Sequence, residues 1–248
     1  MINQDQHTGA WLESTLIDSY QVASNVMKLR FKVSGWPGHI PGQHVDVRLT
    51  APNGYMAERS YSVANPPGEG EVVELGVELL ENGEVSPYLW MLKPGDTIEI
   101  RGPIGGHFVW NANTARPLVL IAGGSGMVPL MCMLRLNVLK ADTSRTIIFI
   151  ISLRTIDRLL YAEELRKIQS EFPRVNIVIT LTEQVPQDWQ GYSRRIDGEM
   201  FKAEIGAVAL NEPDVFVCGP TKFVEAAARL LLDMGIDRNY IKTERFGG

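Results

Sequence analysis

The sequence predicts a β + α/β protein: an antiparallel barrel or sandwich first, then an open parallel sheet with helices on both faces. Three observations predict it. Up to about Trp110 the apolar residues recur with period two, and Pro/Gly/Asn turn signals punctuate the runs. From about Pro117 the apolar runs are short and continuous, the pattern of strands buried on both faces. Helical stretches separate those runs, and strand–helix alternation builds a parallel sheet.

In the first half, Val26–Val33 sets Met27, Leu29, Phe31 and Val33 against Lys28, Arg30 and Lys32. Val45, Val47 and Leu49 alternate with Asp46 and Arg48, and Ile98 and Ile100 with Thr97 and Glu99. Alternation sends apolar side chains to one sheet face and charges to the other. Pro41-Gly42, Pro52-Asn53-Gly54, Pro66-Pro67-Gly68, Asn82-Gly83 and Pro94-Gly95-Asp96 mark the turns. In the second half, Leu118–Ala122, Thr146–Ser152, Asn176–Leu181 and Asp214–Cys218 read as buried strands. The intervening helices are Met127–Lys140, with Val128, Met131, Leu134 and Val138 near one face, then Arg158–Gln169 and Phe223–Met234, the last stopped by Gly235. The polar stretch Asn111–Arg116 sets a domain boundary, giving domains 1–112 and 113–248.

With 248 residues, 45% hydrophobic and 21% charged, the chain has the profile of a globular protein with a core of useful size. A net charge of −5 argues against nucleic acid as a partner. Cys132 and Cys218 have no neighbours at metal-ligand spacing, so no metal site is expected from them. Lone thiols and no secretory signal fit the cytoplasm, and no apolar run is long enough to span a bilayer, so no membrane partner is expected.

Arg59-Ser60-Tyr61-Ser62 is the most informative segment. Arg59 and Tyr61 share one strand face, where a guanidinium can bind phosphate and an aromatic ring can lie against another ring. Ser62 joins that face if the strand bends at its end, which Pro66-Pro67 favours. The same residues would also fit an ordinary strand with an exposed arginine. Gly83-Glu84-Val85-Ser86-Pro87-Tyr88-Leu89 can turn backbone amides and a helix N-terminus toward a diphosphate, with Ser86 as helix cap. His44, alone on a strand, reads as structural. Ala122-Gly123-Gly124-Ser125-Gly126-Met127-Val128-Pro129 places a glycine-rich turn between a buried strand and a helix, where a doubly wound sheet binds pyrophosphate. Pro129 replaces the third glycine of the usual dinucleotide fingerprint. Val217-Cys218-Gly219-Pro220 ends another strand at the same ligand-binding edge, and Cys132 reads as a small buried hydrophobe.

These segments, in this order, resemble the ferredoxin–NADP reductase superfamily from about Trp11 to the last residue. Pro41-Gly42-Gln43-His44-Val45, Gly95-Asp96 and Gly102-Pro103-Ile104-Gly105 extend the likeness, which is greater to bacterial members serving oxygenases than to plant plastid enzymes. The resemblance implies a six-stranded FAD-binding barrel followed by a Rossmann-like NAD(P)-binding domain. It implies that Arg59, Ser60, Tyr61, Ser62, Val77, Leu79, Gly83, Val85 and Ser86 hold FAD. It implies that Gly124, Ser125, Gly126, Pro129, Arg154, Thr182, Cys218, Gly219 and Pro220 hold the pyridine nucleotide. Ser62, Cys218, Glu244 and Phe246 are then the catalytic candidates, with Phe246 covering the flavin ring until nicotinamide displaces it. Plant members end on that aromatic, whereas this chain adds Gly247 and Gly248.

The implied activity is hydride transfer from NADH or NADPH to FAD, then single electrons to a separate acceptor. Glu183, where NADP-using relatives often carry arginine, would repel a 2′-phosphate and favours NADH, with Arg154 and Arg194 as the cations able to offset it. Two cysteines are too few for a fused [2Fe–2S] cluster, so the acceptor is expected to be a ferredoxin, another redox protein or an oxygenase component. A monomer is expected. The competing readings are a free-flavin or ferric-chelate reductase and a non-catalytic flavin electron-transfer subunit. Gly83–Leu89 favours bound FAD over the first, and the nucleotide turn argues against the second.

Overall fold

The computed structural model describes residues 10–246, and its first half is an antiparallel sheet built from the alternating segments. The strands are β1 (Leu12–Ala23), β2 (Val26–Val33), β3 (His44–Thr50), β4 (Met56–Ser62), β5 (Val72–Glu78) and β6 (Thr97–Ile104), with a short helix α1 (Ser86–Met91) between β5 and β6. The order is β4-β3-β6-β1-β2-β5. The chain leaving β4 meets β5 through a Val63–Leu75 bridge and an Ala64 N–H donated to the Glu74 carbonyl at 2.8 Å. The two sheet edges are thereby drawn together, which chooses the barrel over the open sandwich. Leu16, Leu29, Phe31, Val33, Val45, Val47, Leu75 and Ile100 fill the interior.

The second half carries β7 (Leu118–Gly123), α2 (Met127–Leu139), β8 (Ile147–Leu153), α3 (Ala162–Glu171), β9 (Val175–Leu181), α4 (Gly198–Ala209), β10 (Asp214–Pro220), α5 (Thr221–Asp233) and β11 (Ile241–Phe246). The sheet order is β11-β10-β7-β8-β9, parallel throughout. Alternate residues of β7 and β8 face α2 and α3 on one side and α4 and α5 on the other. Burial on both faces is why these strands read as unbroken apolar runs.

Three expectations need correction. α3 begins four residues later than the sequence pattern placed it, because Ile156–Arg158 forms a separate 3-10 turn and Tyr161 adopts φ 55° just before the helix. α2 is buried almost all round, from Met127 through Leu134, rather than on one face, because the barrel covers the side away from the sheet. Lys28, read on the charged face of β2, lies on that face outside the barrel but is buried, 3.5 Å from Glu74 and over the Tyr20 ring. α4 and the long β1 carry no segment assigned from the sequence.

The two halves are bonded together. Arg135 of α2 donates to Glu74 of β5 at 2.7 Å and to the Ala64 carbonyl at 3.0 Å. Cys132 donates to the Asn65 carbonyl. Between Ile104 and Leu118 the connection is gathered by Arg145, which donates to the carbonyls of Ala112, Thr114 and Arg116. These bonds hold the end of β4 facing the glycine-rich turn.

Candidate active site

A cavity of about 680 Å³ lies where the barrel meets the parallel sheet, within the size range of small-molecule sites. Arg59, Ser60, Tyr61, Ser62, Gly83, Val85 and Ser86 line it from the barrel, and Ser125, Glu244 and Phe246 from the second half. All four residues of the Arg59–Ser62 segment reach the lining at the end of β4, where Ser62 opposes His44 and Tyr61 opposes Val45. Burial pushes the Tyr61 phenol up to about 12, against the pull of Arg59, so the ring stays neutral. The Ser60 hydroxyl points elsewhere, donating to Asp46 at 2.7 Å.

Loop 80–86 is closed on itself. Gly83 donates its N–H to the Leu80 carbonyl at 2.8 Å, and the Ser86 hydroxyl accepts the Leu80 N–H at 3.0 Å. Ser86 is therefore not the helix cap that the sequence suggested. Val85 holds that position without a side-chain cap, and the Ser86 oxygen is committed to tightening the loop.

On the other wall, Gly124–Gly126 forms a 3-10 turn leading from β7 into α2. Gly126 packs against β10 so closely that a Cβ would stand 2.2 Å from the Cys218 carbonyl oxygen. Ser125 bridges the two halves by donating to Glu78 at 2.6 Å, whose other oxygen accepts from Asn25 at 2.7 Å. Gly76 is a second close approach, since a Cβ there would meet Val128 at 2.6 Å.

Cys218 pairs in register with Glu244 of β11, and its Sγ lies 3.8 Å from Oε2. Burial raises the thiol well above its ordinary value, so Cys218 is no thiolate nucleophile. Burial also pushes the Glu244 carboxyl up to about 7, opposed only by the Cys218 hydrogen bond. Phe246, two residues on, is half-buried and packs on the cluster that includes Met127 and Val128. Gly247 and Gly248 lie outside the described residues.

Several expected residues do not line this cavity. Val77 is buried in the barrel core and its carbonyl accepts the Trp90 indole N–H at 2.9 Å, so its side chain is unavailable. Leu79 donates its N–H to the Asn25 carbonyl, and its neighbour Leu80 takes the lining position. Gly124, Gly126, Pro129, Arg154, Thr182, Cys218, Gly219 and Pro220 belong to the carboxyl edge of the parallel sheet and the turn beside it. There Arg154 and Glu183 form an ion pair at 3.4 Å, and the Thr182 hydroxyl donates to the Leu153 carbonyl at 3.2 Å. Cys218 does not itself line the cavity, and its thiol contacts the lining residue Glu244.

Sequence reasoning passed over Gly76, Glu78 and Leu80, and read His44, Glu84, Val128 and Arg245 without naming them as site residues. All line the cavity. Burial lowers the His44 imidazole, which keeps it neutral. For Glu78 a signal existed, since Val73, Leu75 and Val77 alternate with Glu74, Gly76 and Glu78 and so set Glu78 on the strand face away from the barrel core. For Val128 and Gly76 there was none, since they meet only across the interface of the two halves.

The lining fits a flavin dinucleotide: Arg59 supplies a cation, loop 83–86 a tight polar turn, and Tyr61 and Phe246 aromatic faces on the same cavity. An oxidoreductase FAD-binding domain model matches residues 13–110, and an oxidoreductase NAD-binding domain model matches residues 120–229. One component of the Na(+)-translocating NADH-quinone reductase of Methylococcus capsulatus is 31% identical over 204 residues, covering 77% of this chain and 50% of that protein. The chain spans about half the length of the curated relatives it matches. Among solved structures, a cytochrome P450 reductase of Amycolatopsis superposes with a TM-score of 0.83 at 24% identity, over 97% of this chain and 71% of that one. A ferredoxin NADP+ reductase of Neisseria gonorrhoeae with bound FAD and NADP gives 0.78 at 20% identity, over 96% and 99%. Those likenesses are of fold, and they agree with the two domain matches: the chain belongs to the ferredoxin–NADP reductase superfamily of FAD- and NAD(P)-binding oxidoreductases.

Proposed function

We propose that this reductase takes hydride from NADH in preference to NADPH and passes electrons singly to a separate redox protein, such as a ferredoxin or an oxygenase component. The observation that carries the reading is the shared wall: Tyr61 and Ser62 from the barrel and Ser125, Glu244 and Phe246 from the nucleotide half line one cavity. Hydride transfer needs donor and acceptor atoms held together away from water, and placement supplies much of the rate. Bound FAD supplies a two-electron acceptor able to release its electrons one at a time. Arg59 and loop 83–86 hold the diphosphate, Tyr61 orients the ring system, and Ser62 borders its reactive edge. Gly124–Gly126 receives the nucleotide pyrophosphate, while Cys218 and Glu244 border the nicotinamide. Phe246 would cover the ring system on the side where nicotinamide has to enter.

The donor preference rests on Glu183, whose carboxylate at the end of β9 repels a 2′-phosphate and already occupies Arg154. The name of the Methylococcus relative, part of an NADH-quinone reductase, supports the same preference. Two buried free cysteines support a reducing, cytoplasmic setting. Among the described residues no helix is long and apolar enough to cross a membrane.

Anaerobic rapid mixing of the FAD-loaded protein with NADH tests the reading. Flavin absorbance should bleach in a single turnover, and oxidised ferredoxin should then restore it. A flavin that NADH leaves oxidised defeats the hydride step. A reduced flavin that no redox protein reoxidises defeats the acceptor.

A further inference from the structure

We infer that Glu84 is a built-in competitor for the FAD diphosphate, holding Arg59 by an exchangeable ion pair and thereby setting how tightly FAD is retained. This rests on the reading of Arg59 and loop 83–86 as the diphosphate site.

Arg59 Nη2 donates to Glu84 Oε2 at 3.1 Å, and the Tyr55 hydroxyl donates to Glu84 Oε1 at 2.5 Å. The Glu84 hydrogen bond is the main cause that raises the Tyr55 phenol above its ordinary value. Arg59 and Glu84 both line the cavity. A carboxylate offers a guanidinium the same paired anionic oxygens that a phosphate does, so both compete for one fork of donors. The pair is open to exchange, with the two side chains 56% and 49% exposed. The loop beneath it is not, because the Gly83 and Leu80 N–H bonds fix residues 80–86. Glu84 therefore releases Arg59 by rotating its side chain, with no change in the backbone.

The consequence is a lowered apparent affinity. Only molecules with Arg59 free of Glu84 engage the diphosphate fully, and affinity falls in proportion to that fraction. Tyr55 offers the displaced carboxylate a partner that does not involve Arg59. The cofactor is thus held through a switchable contact rather than a fixed one.

The experiment titrates apoprotein with FAD and, separately, with riboflavin, which has the same ring system and no phosphate. Flavin fluorescence reports binding and far-ultraviolet circular dichroism reports folding. Glu84→Gln should tighten FAD by about threefold to fivefold, the upper part of the range of an exposed charge pair. Riboflavin binding should not change. In an Arg59→Ala background the Glu84→Gln gain should shrink to near nothing. An unchanged or weakened FAD affinity in Glu84→Gln overturns the inference, as does an equal shift for FAD and riboflavin. A parent protein that takes up no FAD fails the functional reading itself, and the inference with it. A parent that binds FAD as well as its Glu84→Gln variant fails the inference alone.

Discussion

Cys218 Sγ lies 3.8 Å from Glu244 Oε2, and the two residues stand side by side in the β10–β11 register at the edge of the cavity. The strand pairing fixes both backbones and so sets the two side chains next to each other. A carboxyl held near neutrality beside a protonated thiol gives this edge a dischargeable proton in the physiological range.

Glu244 should make stability fall with rising pH. Its carboxyl is pushed from 4.5 up to about 7, so between those values the folded protein binds more protons than the unfolded chain. Stability is highest below the unfolded value and declines through the folded one. Glu244→Gln should flatten that slope, removing a change on the order of 2 kcal/mol between pH 5 and 8. Urea unfolding of parent and variant across this range is the measurement. Parallel curves would show that Glu244 does not titrate there.

Gly126→Ala should damage nucleotide use while sparing flavin. The added methyl would stand 2.2 Å from the Cys218 carbonyl oxygen and must push the glycine turn off β10. A shift of that kind is expected to raise KM for NADH by about tenfold or more. FAD content should remain that of the parent, because Gly126 lies outside the flavin wall. Steady-state kinetics beside the flavin-to-protein absorbance ratio distinguishes the two effects.

Arg135→Leu should loosen the joint between the halves. Arg135 bonds Glu74 of the barrel and Glu164 of α3, each at 2.7 Å, and is only 11% exposed. Its loss leaves the Glu74 carboxylate buried with fewer partners, although Lys28 and Arg30 remain 3.5 and 3.9 Å away. We expect a loss of about 3 kcal/mol of unfolding free energy. Differential scanning calorimetry would show it, and a variant as stable as the parent would mean that Lys28 and Arg30 suffice for Glu74.

Glu183→Arg should move coenzyme preference toward NADPH. The exchange turns a carboxylate into a phosphate-binding fork and releases Arg154 from its 3.4 Å ion pair. The ratio of kcat/KM for NADPH over NADH should rise by about tenfold, the worth of one charge-assisted hydrogen bond. Unchanged ratios would place the ribose away from the ends of β8 and β9.

Much of the fold was legible because its signals are local. Period-two runs such as Val45–Leu49 and continuous ones such as Leu118–Ala122 report how many faces of a strand are buried, whatever lies opposite. The Arg59–Ser62 and Gly123–Gly126 segments were legible as sites for the same reason: each carries its chemistry within a few neighbouring residues. α2 misled because its second apolar face is covered by the barrel, which no period within the helix records. Ser86 misled because it has the sequence of a cap, while Leu80, six residues back, claims its oxygen.

By itself the sequence determined the two kinds of sheet, their order along the chain and the segments able to hold phosphate and aromatic rings. Only the tertiary structure decided which residues share a wall. Glu78 with Ser125, Gly76 with Val128 and Arg59 with Glu84 meet across loops or across the joint of the halves. The physical reason is range: periodicity and turn chemistry act between near neighbours, whereas a cavity is made by chain segments that only packing brings together.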